Sequence, residues 1–381
     1  MSGIIKKLPP ATPVAAGSAD EVFWSDCRRL VDEGAVTPII SNQVTAMLFN
    51  VEPGDLAQAW AEDIQSPFSS SENRDIAHVA QYYSVHVKGP VEAKRQYLEK
   101  LKEYLIATVK DDTDADADLV ADYLNPEQRK LVSLSEMARL FGYPRYADVN
   151  SNPLRLLAEM PLPIYLTTSH HQFLQHALVQ TGHKQPVTEV FRWHDGLRRI
   201  PSIFDREPDY VPSVARPLVY HLFGLDEYSE SLVLTEDDFL DYLVKLSALN
   251  YEVKHADKQE DIPAVVSTAL TGTALLLLGY EVYDWEFRVL FKGLVQATGE
   301  SRRKRTPKSI AMQIDPRPAD NGHGGSAAAS DRSQEVRINE IKVYLRQFFE
   351  QAHFNVYWGD MKTCVCKFWQ LWNGEQNGHE Q

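Results

Sequence analysis

The chain has 381 residues, 44% of them apolar and 10% aromatic, which is enough for one large or two smaller hydrophobic cores. Its net charge of −14 argues against a primary nucleic-acid binder, because Lys and Arg neutralising phosphates dominate that kind of affinity. No apolar run reaches the ~18 residues of a membrane helix and residues 1–20 lack the apolar core of a secretory signal, so a cytoplasmic protein with no membrane partner is expected. Three cysteines, Cys27, Cys364 and Cys366, are too few and too badly spaced for a disulfide framework or paired zinc knuckles.

In chain order, residues 1–19 are rich in Pro, Ala and Ser and are expected to be disordered. EVFWSDCRRLVDEG follows with Phe23, Trp24, Cys27, Leu30 and Val31 at helical spacing and Gly34 as a stop. A short apolar run, Val36–Ile40, reads as the first strand, with the polar turn Ser41, Asn42, Gln43 behind it. Residues 45–160 read as helical, with Val91, Tyr97, Leu98, Leu101, Tyr104 and Leu105 forming one apolar stripe, so a helical insertion after the first strand is expected. Asp112, Asp114 and Asp116 have the opening spacing of a calcium loop, but Ala117 and Tyr123 stand where that loop needs Gly and Glu, which leaves an acidic surface connection.

Strands are expected next at 163–168, 187–193, 218–222 and 274–278, with a helix near 172–180. Thr235 followed by Glu236, Asp237 and Asp238 is a capping box, and Phe239, Tyr242, Leu243 and Leu246 give the helix it opens a buried face. The basic cluster Arg302, Arg303, Lys304, Arg305 and Lys308 opens a polar stretch, 301–336, read as a loop or linker. A helix near 335–351, the strand FNVYW and an aromatic helix around 367–372 close the chain, and Trp358, Trp369 and Trp372 read as core or an oligomer interface. The organisation expected is therefore an α/β domain from 20–44 and 161–300, an insertion at 45–160, the linker 301–336, and 337–373 completing the domain.

Three of these strands, buried enough to read as continuous apolar runs, stop at polar or glycine-containing turns, and in open parallel sheets ligands sit just beyond such carboxyl ends. The strings PIYLTTSHHQFLQHAL, LVYHLFGLDEYSESLVLTEDDFLDYL and LLLLGYEVYDWEFRVLFKGL, in this order and spacing, resemble the bacterial branch of the sirtuin-like proteins, the NAD-consuming modules of antiphage defence. The resemblance covers roughly residues 21–300, with FNVYWGD similar to the last strand of the same domain. It implies a Rossmann-like parallel sheet with a helical small domain inserted after the first strand, NAD as ligand or substrate, and cleavage between nicotinamide and ribose. It also implies cofactor contacts at Ser41, Asn42, Thr167, Thr168, Phe223, Gly224, Gly279 and Asp284.

The chain departs from the family pattern where catalysis is concerned. The family's strand-end Thr-x-Asn-x-Asp is matched by Thr167, Ser169 and His171, and its His-Gly pair by Phe223 and Gly224. Phe223 can stack on a ring but takes no proton, and the glycine-rich turn after the first strand is replaced by Ser41, Asn42 and Gln43. Proton transfer then falls to a nearby imidazole or to water. His170, His171, His194 and His221 are the choices, each competing with a scaffold role, and His171, Ser169 and His221 are the catalytic candidates.

No second ligand pair accompanies the adjacent histidines, so no metal is assigned. Gly279 would let a ligand approach the strand end, while Asp284 equally suits a helix cap, and Asp226, Glu227 and Thr235 are read with loop ordering beside ligand contact. The expected function is an NAD-cleaving effector (an NADase, a hydrolase releasing nicotinamide) in antiphage defence, homo-oligomeric, with a partner defence protein. The alternative is a catalytically silent sensor or scaffold using the same crevice. Deacetylation is disfavoured for want of a four-cysteine zinc module, and a Ser169–His171 hydrolase for want of a Gly-x-Ser-x-Gly elbow.

Overall fold

The computed structural model describes residues 16–49, 51, 54–110, 116–144, 152–252, 262–280, 285–296, 309–314, 327–351 and 354–373. The acidic run at Asp112 and Asp114, Asp284 and the basic cluster 302–308 lie outside the described residues.

Seven strands, β1 (Val36–Ile40), β2 (Ile164–Thr167), β3 (Val187–Val190), β4 (Leu218–His221), β5 (Ala274–Leu278), β6 (Ser309–Ile314) and β7 (Phe354–Trp358), form one sheet among the described residues. Their order is β3-β4-β2-β1-β5-β6-β7 and every pairing is parallel. Successive residues of a strand face opposite sides, and here both sides are covered. β1 sends Val36 and Ile40 into one core and Ile39 into the other; β5 divides Leu276 and Leu278 from Leu275 and Leu277 in the same way. Pro38 in β1 has no N–H to donate, and pairing with β2 begins one residue later, at Ile39 with Leu166.

Several elements differ from the sequence expectation. The helix Ala16–Asp32 begins within the segment expected to be disordered. The stretch 301–336 contributes β6 and the start of the helix Ala327–Gln351, both hidden by a polar composition. β3 stops at Val190 rather than 193, and the last helix begins at Met361. Trp372 is buried in the core, with Nε1 donating to Asp32 at 2.9 Å.

Between β1 and β2 the chain is helical, and its helices start on side chains that accept otherwise orphaned N–H groups. Asp75 caps Ile76–Tyr83, Asp116 caps Ala117–Tyr123, Ser133 caps Leu134–Leu140 and Asn152 caps Pro153–Glu159. The long helix Pro90–Val109 buries Ala93, Tyr97, Leu101 and Leu105 on one face. Val91, placed in that stripe by the sequence, is 49% exposed one turn too early.

Two buried carboxylates fasten this insertion to the sheet. Asp238 accepts from Leu234 N (3.1 Å) and Thr235 N (3.0 Å) while Thr235 Oγ1 accepts from Asp238 N (3.1 Å), a reciprocal capping box on the helix Glu236–Glu252. The same carboxylate receives Lys94 Nζ of the insertion at 2.9 Å, and that ammonium lies 5.5 Å from the Trp193 ring. Asp226, after β4, accepts from Ser135 N at 2.6 Å, while its other oxygen has no partner. Burial pushes the Asp226 carboxyl up to about 6.

Asp238→Ala leaves Lys94 buried without its partner, and a loss of about 3–5 kcal/mol is expected in urea unfolding. Asp226 titrates lower in the unfolded chain than in the folded one, so its contribution to stability is full below pH 3.8 and lost as pH rises through about 6. The difference in urea midpoint between Asp226→Asn and the parent should therefore move in favour of the variant between those two pH values; a constant difference would contradict this.

Candidate functional site

The carboxyl ends of β1, β2 and β4 and the helix Trp285–Val289 after β5 bound a cavity of about 390 Å³ whose far wall is the helical insertion. That volume is at the lower end of small-molecule sites. Asn42, His170, Phe223 and Glu286 line it from the sheet side, and Arg74 and Tyr104 from the insertion. Tyr97 also lines it, with its hydroxyl at the junction of the two.

Asn42 is the centre of the polar network. Its Nδ2 donates to Tyr97 Oη (3.1 Å), its Oδ1 accepts from Thr45 Oγ1 (3.1 Å), and its backbone N–H lies 2.9 Å from Glu286 Oε1 and 3.1 Å from Thr168 Oγ1. Thr168 donates to the same Glu286 oxygen. Burial raises the Glu286 carboxyl above its usual range, against the hydrogen bonds from Thr168, Asn42 and Ser41 that lower it. Tyr97, pushed up by burial, keeps its phenol proton and can donate it to His170 Nδ1 at 3.2 Å. His170 then carries its proton on Nε2, an atom shielded from solvent, and the Val233 backbone accepts a hydrogen bond from the ring. Burial pushes His170 down to about 3, with His221 and Lys94 adding to the effect and the Val233 backbone opposing it. It is a neutral donor at physiological pH.

The residues singled out in the sequence divide sharply. Asn42 and Phe223 reach the cavity. Phe223 is 1% exposed and packs edge-on against Phe239 and Tyr242 at 5.5 and 5.0 Å. His171 does not line the cavity: Nε2 lies 2.7 Å from Thr45 Oγ1 and the ring stacks on Phe173 at 3.9 Å, with burial holding it neutral. As a catalytic candidate His171 is corrected by β2 ending at Thr167, beyond which the period of two no longer sets direction. His221 is fully buried between the Ser169 carbonyl (2.9 Å) and Gln175 Nε2 (2.7 Å), so its ring is bonded at both nitrogens and pushed down to about 4 by burial. Ser169 spends its hydroxyl on the Ser41 carbonyl at 3.2 Å.

Thr167 and Ser41 are likewise buried: Thr167 Oγ1 ties β2 to β1 by donating to Ile40 O (3.0 Å), and Ser41 Oγ accepts from Gln43 N (3.0 Å) within the turn after β1. Gly224 has φ +92, and a Cβ there would overlap the Ser231 carbonyl, so this glycine serves the close approach of two loops. Gly279, at φ +77, would place a Cβ 3.1 Å from Met361 Sδ and 3.4 Å from Ser41 Cβ, a packing constraint beside the cavity. His194 precedes the 3₁₀ turn Asp195–Arg199 and does not line the cavity.

Residues 163–341 match the SIR2-like domain family. No curated protein matches the chain. The match begins at Pro163, just before β2; β1 and the insertion precede it, yet β1 lies between β2 and β5 in the sheet. Among the described residues, no helix is long and apolar enough to cross a membrane and no three His, Cys, Asp or Glu side chains gather as metal ligands.

Tyr97 and Glu286 were missed as site residues. Tyr97 sits in an apolar stripe, where only its hydroxyl hinted at a second role. Glu286 reads as the solvent side of a short amphipathic helix. Because Asn42 Nδ2 and His170 Nδ1 both meet the Tyr97 hydroxyl, Tyr97→Phe should loosen the cavity wall, with about 1–2 kcal/mol lost in urea unfolding. An unchanged midpoint would remove Tyr97 from the network.

Proposed function

We propose that this chain binds NAD in the strand-end cavity and holds it as a nucleotide sensor or scaffold, without efficient turnover. One observation carries the reading: the cavity lies where open parallel sheets take nucleotides, and at its base position stands Phe223, sealed between Phe239 and Tyr242. Fit to the ligand rests on the polar lining, where Asn42, Tyr97 and Glu286 stand around the cavity and the His170 ring forms part of its wall. Asn42 and Tyr97 keep that imidazole oriented.

The second reading is NAD cleavage with release of nicotinamide by an effector of antiphage defence, working as a homo-oligomer or with a partner defence protein. His170 favours it, since an imidazole anchored through Nδ1 on a tyrosine hydroxyl and reaching a cavity is an oriented proton-transfer group. It ranks second because a ring pushed down to about 3 and protonated on Nε2 is a poor base towards water. Calorimetry with NAD should show binding to the parent, weakened about tenfold in His170→Ala. Nicotinamide should stay unreleased over the same hours. Release at about 1 s⁻¹ or faster, within ordinary enzyme turnover, would establish the second reading instead.

A further inference from the structure

The turn after β1 is where a parallel α/β sheet offers backbone N–H groups to a ligand anion. In this chain that N–H is already engaged by an anion of its own. Asn42 N reaches Glu286 Oε1 at 2.9 Å, the Thr168 hydroxyl donates to the same oxygen, and Ser41 adds a side-chain hydrogen bond. Three donors from the ends of β1 and β2 thus converge on one carboxylate carried by the short helix after β5. Glu286 and Asn42 both line the cavity, so the seat the carboxylate fills opens onto the space a ligand would enter.

A carboxylate and a phosphate make the same demand on such a seat: negative oxygens accepting from N–H and O–H donors. Both cannot use it together, because the donors are few and like charges repel at contact distance. We infer that Glu286 is a specificity residue, its carboxylate standing in for a ligand phosphate on Asn42 N–H and Thr168 Oγ1 and so holding down the affinity of the cavity for phosphate-bearing ligands. The inference rests on the nucleotide reading for the identity of the ligand, though not for the anion seat itself. An uncharged nucleoside meets no such competition, whereas a dinucleotide must displace Glu286 to seat its pyrophosphate.

The test is calorimetry of the full chain with three probes, inorganic pyrophosphate, NAD and adenosine, on the parent, Glu286→Ala and Glu286→Gln. Glu286→Gln keeps the acceptor oxygen and the shape while removing the charge, and carries the test if Glu286→Ala fails to fold. Pyrophosphate and NAD should bind at least about tenfold more tightly to the variants, with adenosine unchanged. Equal pyrophosphate affinity in parent and variants overturns the inference, and if NAD still binds, the nucleotide reading stands without it. A gain for pyrophosphate with no binding of NAD or adenosine to any of the three proteins upholds the anion seat and overturns the nucleotide reading. No binding of any probe to any of them overturns both.

Discussion

Asn42 joins the sheet to the helical insertion, its side-chain amide supplying the bonds that depend on residue type. Its backbone meets Glu286 and Thr168, its amide nitrogen meets Tyr97 and its amide oxygen meets Thr45. Five chain segments therefore depend on one turn: β1 itself, the helix after it, the end of β2, the long helix of the insertion and the helix after β5. This turn ties the two walls of the cavity together, through Glu286 on one side and Tyr97 on the other. A glycine there, as a phosphate-binding turn would have, could not tie the insertion down.

This network also explains why the site holds several histidines and so little basicity. Desolvation penalises the charged imidazole, and burial pushes His170 and His221 down to about 3 and about 4. His221 is bonded at both nitrogens, and of the site's histidines His170 alone lines the cavity. The polar groups at these strand ends mostly satisfy one another, and the ordering they provide is what keeps Asn42, Tyr97 and His170 in place.

Much of the sheet was legible in the sequence because strands covered on both faces must be apolar throughout. An unbroken apolar run such as Ala274–Leu278 is uncommon outside them, and β1, β2, β4 and β5 were all readable on that ground. The capping box at Thr235 was equally legible, since it is local chemistry. β6 was not, because Ser309–Ile314 lies in a charged stretch. The site was less legible than the fold. Which of two adjacent histidines enters a cavity depends on the path of the chain after the strand ends, and the direction of His170 and His171 is set by Tyr97 and Thr45, residues far away in sequence. Glu286 was hidden because a carboxylate in a short helix reads as solvated until its donors are seen.

The central claim is that the cavity formed by the strand ends and the insertion is the nucleotide site, and amide hydrogen exchange with and without saturating NAD tests it most directly. The account predicts slowed exchange in three separated segments, around Asn42 to Thr45, around Thr168 to His171 and around Glu286, with the β7 edge of the sheet unchanged. Protection confined to other segments, or none at NAD concentrations that saturate binding, would contradict it.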